Sequence, residues 1–133
     1  MPPLIVHSTD AGRIVLMDSI AYITEEYVGD IIVCGSHGGK SAALHAAKFR
    51  PKGVIFNDAG KGKEEAGISG LQMLEKEGIM GAAVDAMSAR IGEGLDSHDS
   101  GVISAVNGRA FGAGITIGMP AKEAALKMLN SAE

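Results

Sequence analysis

Residues 31–41 read IIVCGSHGGKS. Ile31 to Cys34 form a short apolar run without alternation, the pattern of a strand buried on both faces. Gly35-Ser36-His37-Gly38-Gly39 turns out of that strand. Lys40-Ser41 then opens KSAALHAAKF over 40–49, a helix that Pro51 stops.

The same strand, turn and helix recur downstream. Gly53-Val54-Ile55-Phe56 reads as a second buried strand ending in Asn57-Asp58-Ala59-Gly60. After Lys61-Gly62-Lys63 a helix is expected from Glu64 or Ala66 to Glu77, with Ile68, Leu71 and Leu74 inward and Gly78 as its cap. Ile79 to Val84 is a third strand. Residues 91–101 read as a loop leading to a helix over 101–111, and Pro120 opens a last helix. Upstream, residues 13–23 read as two short strands or one bent strand, broken by Asp18-Ser19. Strand–helix alternation with short links implies βαβ units. The expectation is a small three-layer α/β/α fold, one domain over 1–133, with a mainly parallel sheet of about four strands.

Composition fits that fold and removes several function classes. The chain has 133 residues, 46% hydrophobic and 21% charged, with only 4% aromatic and no Trp. The core must come from Val, Ile, Leu, Met and Ala. Net charge is −4 and no basic stripe stands out, so nucleic acid is not an expected partner. No apolar stretch approaches the ~18 residues of a membrane helix, and the N-terminus lacks the pattern of a signal peptide. Cys34 is the only cysteine, so no internal disulfide can form. A cytoplasmic location is expected.

In parallel sheets, ligands bind outside the carboxyl ends of the strands. The loops at 35–41, 57–63 and 85–93 should line that rim, and they are rich in polar groups. Gly35, Gly38 and Gly39 are expected to permit positive φ and close approach of the backbone to a ligand. The helix behind them presents unpaired N–H groups and a positive dipole end, suited to a phosphate or carboxylate. Ser36, Lys40 and Ser41 add donors. The segment also resembles the P-loop pattern G-x-x-x-x-G-K-[ST]. Aligned on Gly39-Lys40-Ser41, however, the leading glycine falls at Cys34, and Gly35 comes one residue late. Nucleotide binding is therefore the third reading.

A second resemblance lies in motif order. A strand ending in Ser36-His37-Gly38, a helix, then a strand ending in Asp58-Ala59-Gly60 is similar to caspase-like cysteine peptidases. The likeness covers about 31–85, with Gly67-Ile68-Ser69-Gly70-Leu71 matching that family's next helix. It implies the fold, and it implies a catalytic histidine at His37. Gly60 stands where the nucleophilic cysteine belongs, so the resemblance also implies loss of peptidase activity.

Among individual residues, His37 is the candidate proton-transfer group, because imidazole titrates near neutrality. Asp58 would orient it or assist. Asn57, Lys61 and Arg90 are further candidates for holding an anion, Arg90 in bidentate fashion. Lys63, Ser88 and Asp18-Ser19 lie on the same rim. His45 reads as structural, His7 as irrelevant, and His98 as part of a solvated helix cap. No HxH, HExxH or CxxC spacing marks a metal site, and no cofactor is implied. No activated nucleophile is visible, which favours acid–base chemistry.

The leading reading is an enzyme, a lyase, isomerase or hydrolase acting on a small anionic metabolite. A non-catalytic ligand-binding or assembly module is the alternative. Self-association as a homo-oligomer is expected from the small size.

Overall fold

The structure is a computed structural model that describes residues 2–132. Six strands form one sheet in chain order: β1 Leu4–Thr9, β2 Gly12–Met17, β3 Ile31–His37, β4 Gly53–Asn57, β5 Met80–Val84 and β6 Ile103–Val106. β2 to β5 run parallel, while β1 and β6 are antiparallel strands at the two edges. The parallel core matches the expected strands, and the two edge strands enlarge it.

That strand order dictates the layers. Each parallel connection steps one strand in the same direction, and crossovers share one hand. All three must therefore cross the same face. They do: two 3-10 turns after β2, helix α1 (Lys40–Ala47) and helix α2 (Leu71–Lys76) cover one side. Val15, Met17, Ile32, Cys34, Val54 and Phe56 point into that layer with Ala43, Ala46, Leu71 and Leu74. The opposite face is left to the C-terminal third. Helix α3 (Gly94–Ser100) comes first in it. Then α4 (Gly108–Gly112) and α5 (Ala121–Asn130) bury Ile14, Leu16, Ile31, Val33 and Ile55 under Ala110, Ala124, Met128 and Leu129. Alternate residues of β2 and β3 serve opposite cores, which is why those strands read as unbroken apolar runs.

Three expectations are corrected. Residues 13–23 hold one strand, after which Ile20–Tyr22 forms a 3-10 turn capped by the Ser19 hydroxyl. The helix expected at 64–77 is divided into a 3-10 stretch, Lys63–Ile68, and α2, because Gly67 and Gly70 lie against neighbouring backbone. Of the helix expected over 101–111 only the end forms, as α4. Helix α3 occupies the expected loop, and residues 103–106 form β6. The apolar run Val102-Ile103-Ser104-Ala105-Val106 is short and bounded by Gly101 and Asn107, a pattern that periodicity alone does not assign.

Asn107 closes the end of β6. Its buried carboxamide accepts from Gly81 N–H (3.0 Å) and Ala110 N–H (3.0 Å). It donates to the carbonyls of Leu71 and Ile79, each at 3.1 Å. One side chain thus joins β5, α2 and α4. Asn107→Ala strands these buried groups and is expected to cost about 2–4 kcal/mol in urea unfolding, with the slope unchanged.

Candidate functional site

The carboxyl ends of β3 and β4 meet where the sequence placed the site. Val33 pairs with Ile55 and His37 with Asn57, so residues 34–36 bulge opposite Phe56 alone. The bulge threads Gly35 between two other segments. Its N–H donates to the Asp18 carbonyl (3.2 Å), and its carbonyl accepts from Gly92 N–H (2.7 Å). A Cβ at Gly35 would overlap the backbone of residues 92 and 93. Gly38 N–H donates to the carbonyls of Gly67 (2.7 Å) and Asn57 (3.2 Å), and its carbonyl accepts from Gly70 N–H (2.8 Å). A Cβ at Gly38 would stand 3.0 Å from the Gly67 oxygen and 3.3 Å from the Phe56 side chain. None of Gly35, Gly38 and Gly39 has a positive φ, which corrects the expectation. At Gly35 and Gly38 the small residue admits the chain's own backbone.

His37 stands exposed at the end of β3. Its Nδ1 accepts a hydrogen bond from Gly39 N–H at 3.2 Å. That bond leaves the proton of the neutral ring on Nε2. Gly39 caps α1 without any side-chain acceptor, and Lys40 and Ser41 follow it exposed. His37, Lys40, Ser41 and the positive end of α1 therefore lie together. Ser36 points elsewhere: its hydroxyl accepts from Ile20 N–H at 3.0 Å and fixes the turn after β2.

Asp58 and Asn57 are buried, and their polar atoms are committed. Asp58 Oδ1 accepts from Gly60 N–H (2.7 Å) and Ala86 N–H (2.9 Å), and Oδ2 accepts from the Ser104 hydroxyl (2.7 Å). No bond to His37 is among them. Asn57 donates to the Ala89 carbonyl (3.1 Å) and accepts from Ala59 N–H (2.8 Å). Both residues brace the rim and shape the following loop. There Ala59, Gly60, Lys61 and Gly62 have consecutive positive φ of 52°, 72°, 66° and 64°. Such a conformation at a non-glycine costs about 1–3 kcal/mol and must be held by its surroundings. Lys61 is half-buried and strained, and Lys63 is exposed.

Arg90 does not join the cluster. Its side chain is 81% exposed and its guanidinium lies 3.9 Å from Glu93. Ser88 bonds the Asp85 carbonyl (2.6 Å) and Val102 N–H (2.9 Å), a local clasp. Asp18 accepts from Gly94 N–H at 3.0 Å. His45 stacks edge-on with Phe49 at 5.5 Å, and His98 Nδ1 lies 2.9 Å from Asp99. Burial pushes the Cys34 thiol up to about 12, so it stays neutral and unreactive in the core. Among the described residues, no group of three or more His, Cys, Asp or Glu converges as a metal site.

Sequence reasoning missed Ser104 as the partner of Asp58. Its signal was a lone hydroxyl inside an apolar run. The register shift in β6 leaves Ser104 opposite no β5 residue, and its hydroxyl meets Asp58.

No family model matches the chain, and neither the curated proteins nor the solved structures return a match. Asp58→Ala removes three accepting contacts and is expected to lower stability by about 2–4 kcal/mol, read by urea denaturation. A variant as stable as the parent would contradict the bracing role.

Proposed function

We propose that the chain binds a small anionic metabolite, a carboxylate or phosphate, at the carboxyl rim and transfers a proton on it through His37. The observation that carries this reading is the Gly39 N–H bond to His37 Nδ1 beside the uncapped start of α1. In the neutral ring it places the proton on Nε2, available to donate. The anion would rest against the α1 N–H groups and Lys40, and Ser41 would add a hydroxyl donor. Asp58 then acts as a positioning residue for the loop, and a role for Arg90 requires the loop to move. Isomerisation, elimination and hydrolysis all remain compatible with a single acid–base group. Inorganic phosphate or succinate at about 100 times its dissociation constant should add roughly 2.7 kcal/mol of stability. Lys40→Ala should abolish that gain in a thermal melt. Turnover, once a substrate is found, should fall roughly 10²–10⁴-fold in His37→Ala with little loss of stability. A phosphate or carboxylate effect that survives Lys40→Ala would sink the rim as its site.

A non-catalytic assembly module is the second reading. Met87 and Ile91 favour it, being 93% and 55% exposed on the same rim. The caspase-like likeness stays with this reading too: the His37 turn and Gly60 follow neighbouring strands, and Gly60 offers no nucleophile. Nucleotide binding keeps only the partial P-loop pattern in its favour.

We further propose that the chain self-associates through β1. This edge strand is exposed along its whole length, with Leu4, Ile5 and Val6 at 43%, 46% and 38%, and residues 4–9 contain no Lys, Arg, Asp or Glu. An uncharged edge pairs with its own antiparallel copy without like-charge repulsion. Light scattering should show a dimer that Ile5→Lys converts to monomer. A monomer at every concentration of the parent would rule this out.

A further inference from the structure

A concavity lies at the opposite end of the sheet from the rim. Its volume is about 420 Å³, and its lining includes Lys52, Gly78, Met80, Arg109, Ala113 and Ser131. That is enough room for a small metabolite. Two cations line it and no acidic side chain does. Lys52 Nζ donates to the carbonyls of Leu129 (2.8 Å) and Ser131 (2.9 Å), which offsets the negative end of α5 and leaves one N–H over. Arg109 is anchored through Nε to the Glu75 carbonyl at 2.9 Å, and the Glu75 carboxylate pairs with the same nitrogen at 4.0 Å. Its two terminal nitrogens have no partner among the described residues, so four N–H groups of the planar fork are unused. Gly78, at φ 79°, lies beside the fork, where a Cβ would make ordinary contact with the Arg109 Cζ at 3.9 Å. The nearby acids are occupied, with Glu75 Oε1 on Arg109 N–H (2.8 Å) and Glu77 on Arg50 (3.3 Å).

We infer that this cavity is a second anion site, in which the Arg109 fork grips a carboxylate or phosphate and Lys52 supplies the remaining donor. Met80 and Ala113 provide an apolar wall, so the ligand class is a small organic acid or phosphate monoester. The planar fork matches two oxygens of either group.

The site is separable from the rim by position. In a ¹⁵N NMR titration with inorganic phosphate, and separately with succinate, the Gly78, Gly112 and Ala113 amides should shift saturably. Sodium chloride of matched ionic strength should not reproduce the shifts. Arg109→Gln is expected to weaken binding roughly ten- to a hundredfold. Gly112→Asp is an independent probe. Gly112 lines the cavity, and a Cβ added to it would have no neighbour within 4 Å, so Asp fits there and repels an anion. Loss of the shifts in both variants, with Lys40→Ala unaffected, would establish the site. Shifts that are absent, matched by chloride, or retained in both variants would overturn it.

Discussion

The carboxyl rim depends on one buried carboxylate. Asp58 accepts from the loop behind its own strand, from the turn after β5, and from the bulged serine of β6. Three charge-assisted bonds offset the cost of burying the charge. They also fix the point from which the Ala59–Gly62 backbone sets out with positive φ. Gly67 then donates back to the Lys61 carbonyl (2.9 Å) and rests on Gly38. The turn that presents His37 is thus packed on a loop whose shape Asp58 determines.

This explains what the sequence made legible and what it did not. IIVC, GVIF and IMGAAV read as buried strands because each lies between two apolar layers, so neither face needs polar residues. The glycine-rich turn was recognisable as special. Its reason was not, since close approach of a ligand and close approach of a second backbone segment demand the same residue. At Gly35 and Gly38 the neighbouring segment lies far along the chain. Asp58 posed the same problem: a buried carboxylate at a strand end looks catalytic until Ser104 and the Ala86 amide are known to bind it. The error over 101–111 was of another kind. Val102, Ile103, Val106 and Ala110 fit a helical face as well as a short strand followed by a helical turn, and only pairing with β5 decides between them.

Topology gives the two ends of the sheet opposite character. Strand order equal to chain order places α1 and α2 with their N-termini at the carboxyl rim and their C-termini at the other end. Ala121 N–H meets the Gly101 carbonyl, so α5 also begins near the rim and ends beside Lys52. Helix dipoles therefore favour an anion at the rim without help from side chains. At the far end they oppose one, and only cations in excess of the carbonyls they cap can reverse the sign. Lys52 is largely consumed in this way, and Arg109 is not. A ligand at that end would owe its binding to side chains alone, chiefly the Arg109 guanidinium with one donor from Lys52, whereas at the rim backbone and side chain act together.

Exposure sets the last constraint. An imidazole open to solvent works at high dielectric, where its hydrogen bond to a developing charge is weak. Acid–base chemistry through His37 therefore needs a cover that excludes water. Gly92 is hydrogen-bonded to Gly35, so the loop carrying Met87 and Ile91 already reaches the end of β3. Its exposed apolar side chains would gain burial by folding over a bound substrate or by meeting a partner, at about 25 cal/mol per Å² removed from water. The same residues thus serve either reading of the rim. What separates the readings is whether they bury against a ligand bound to this chain or against another chain.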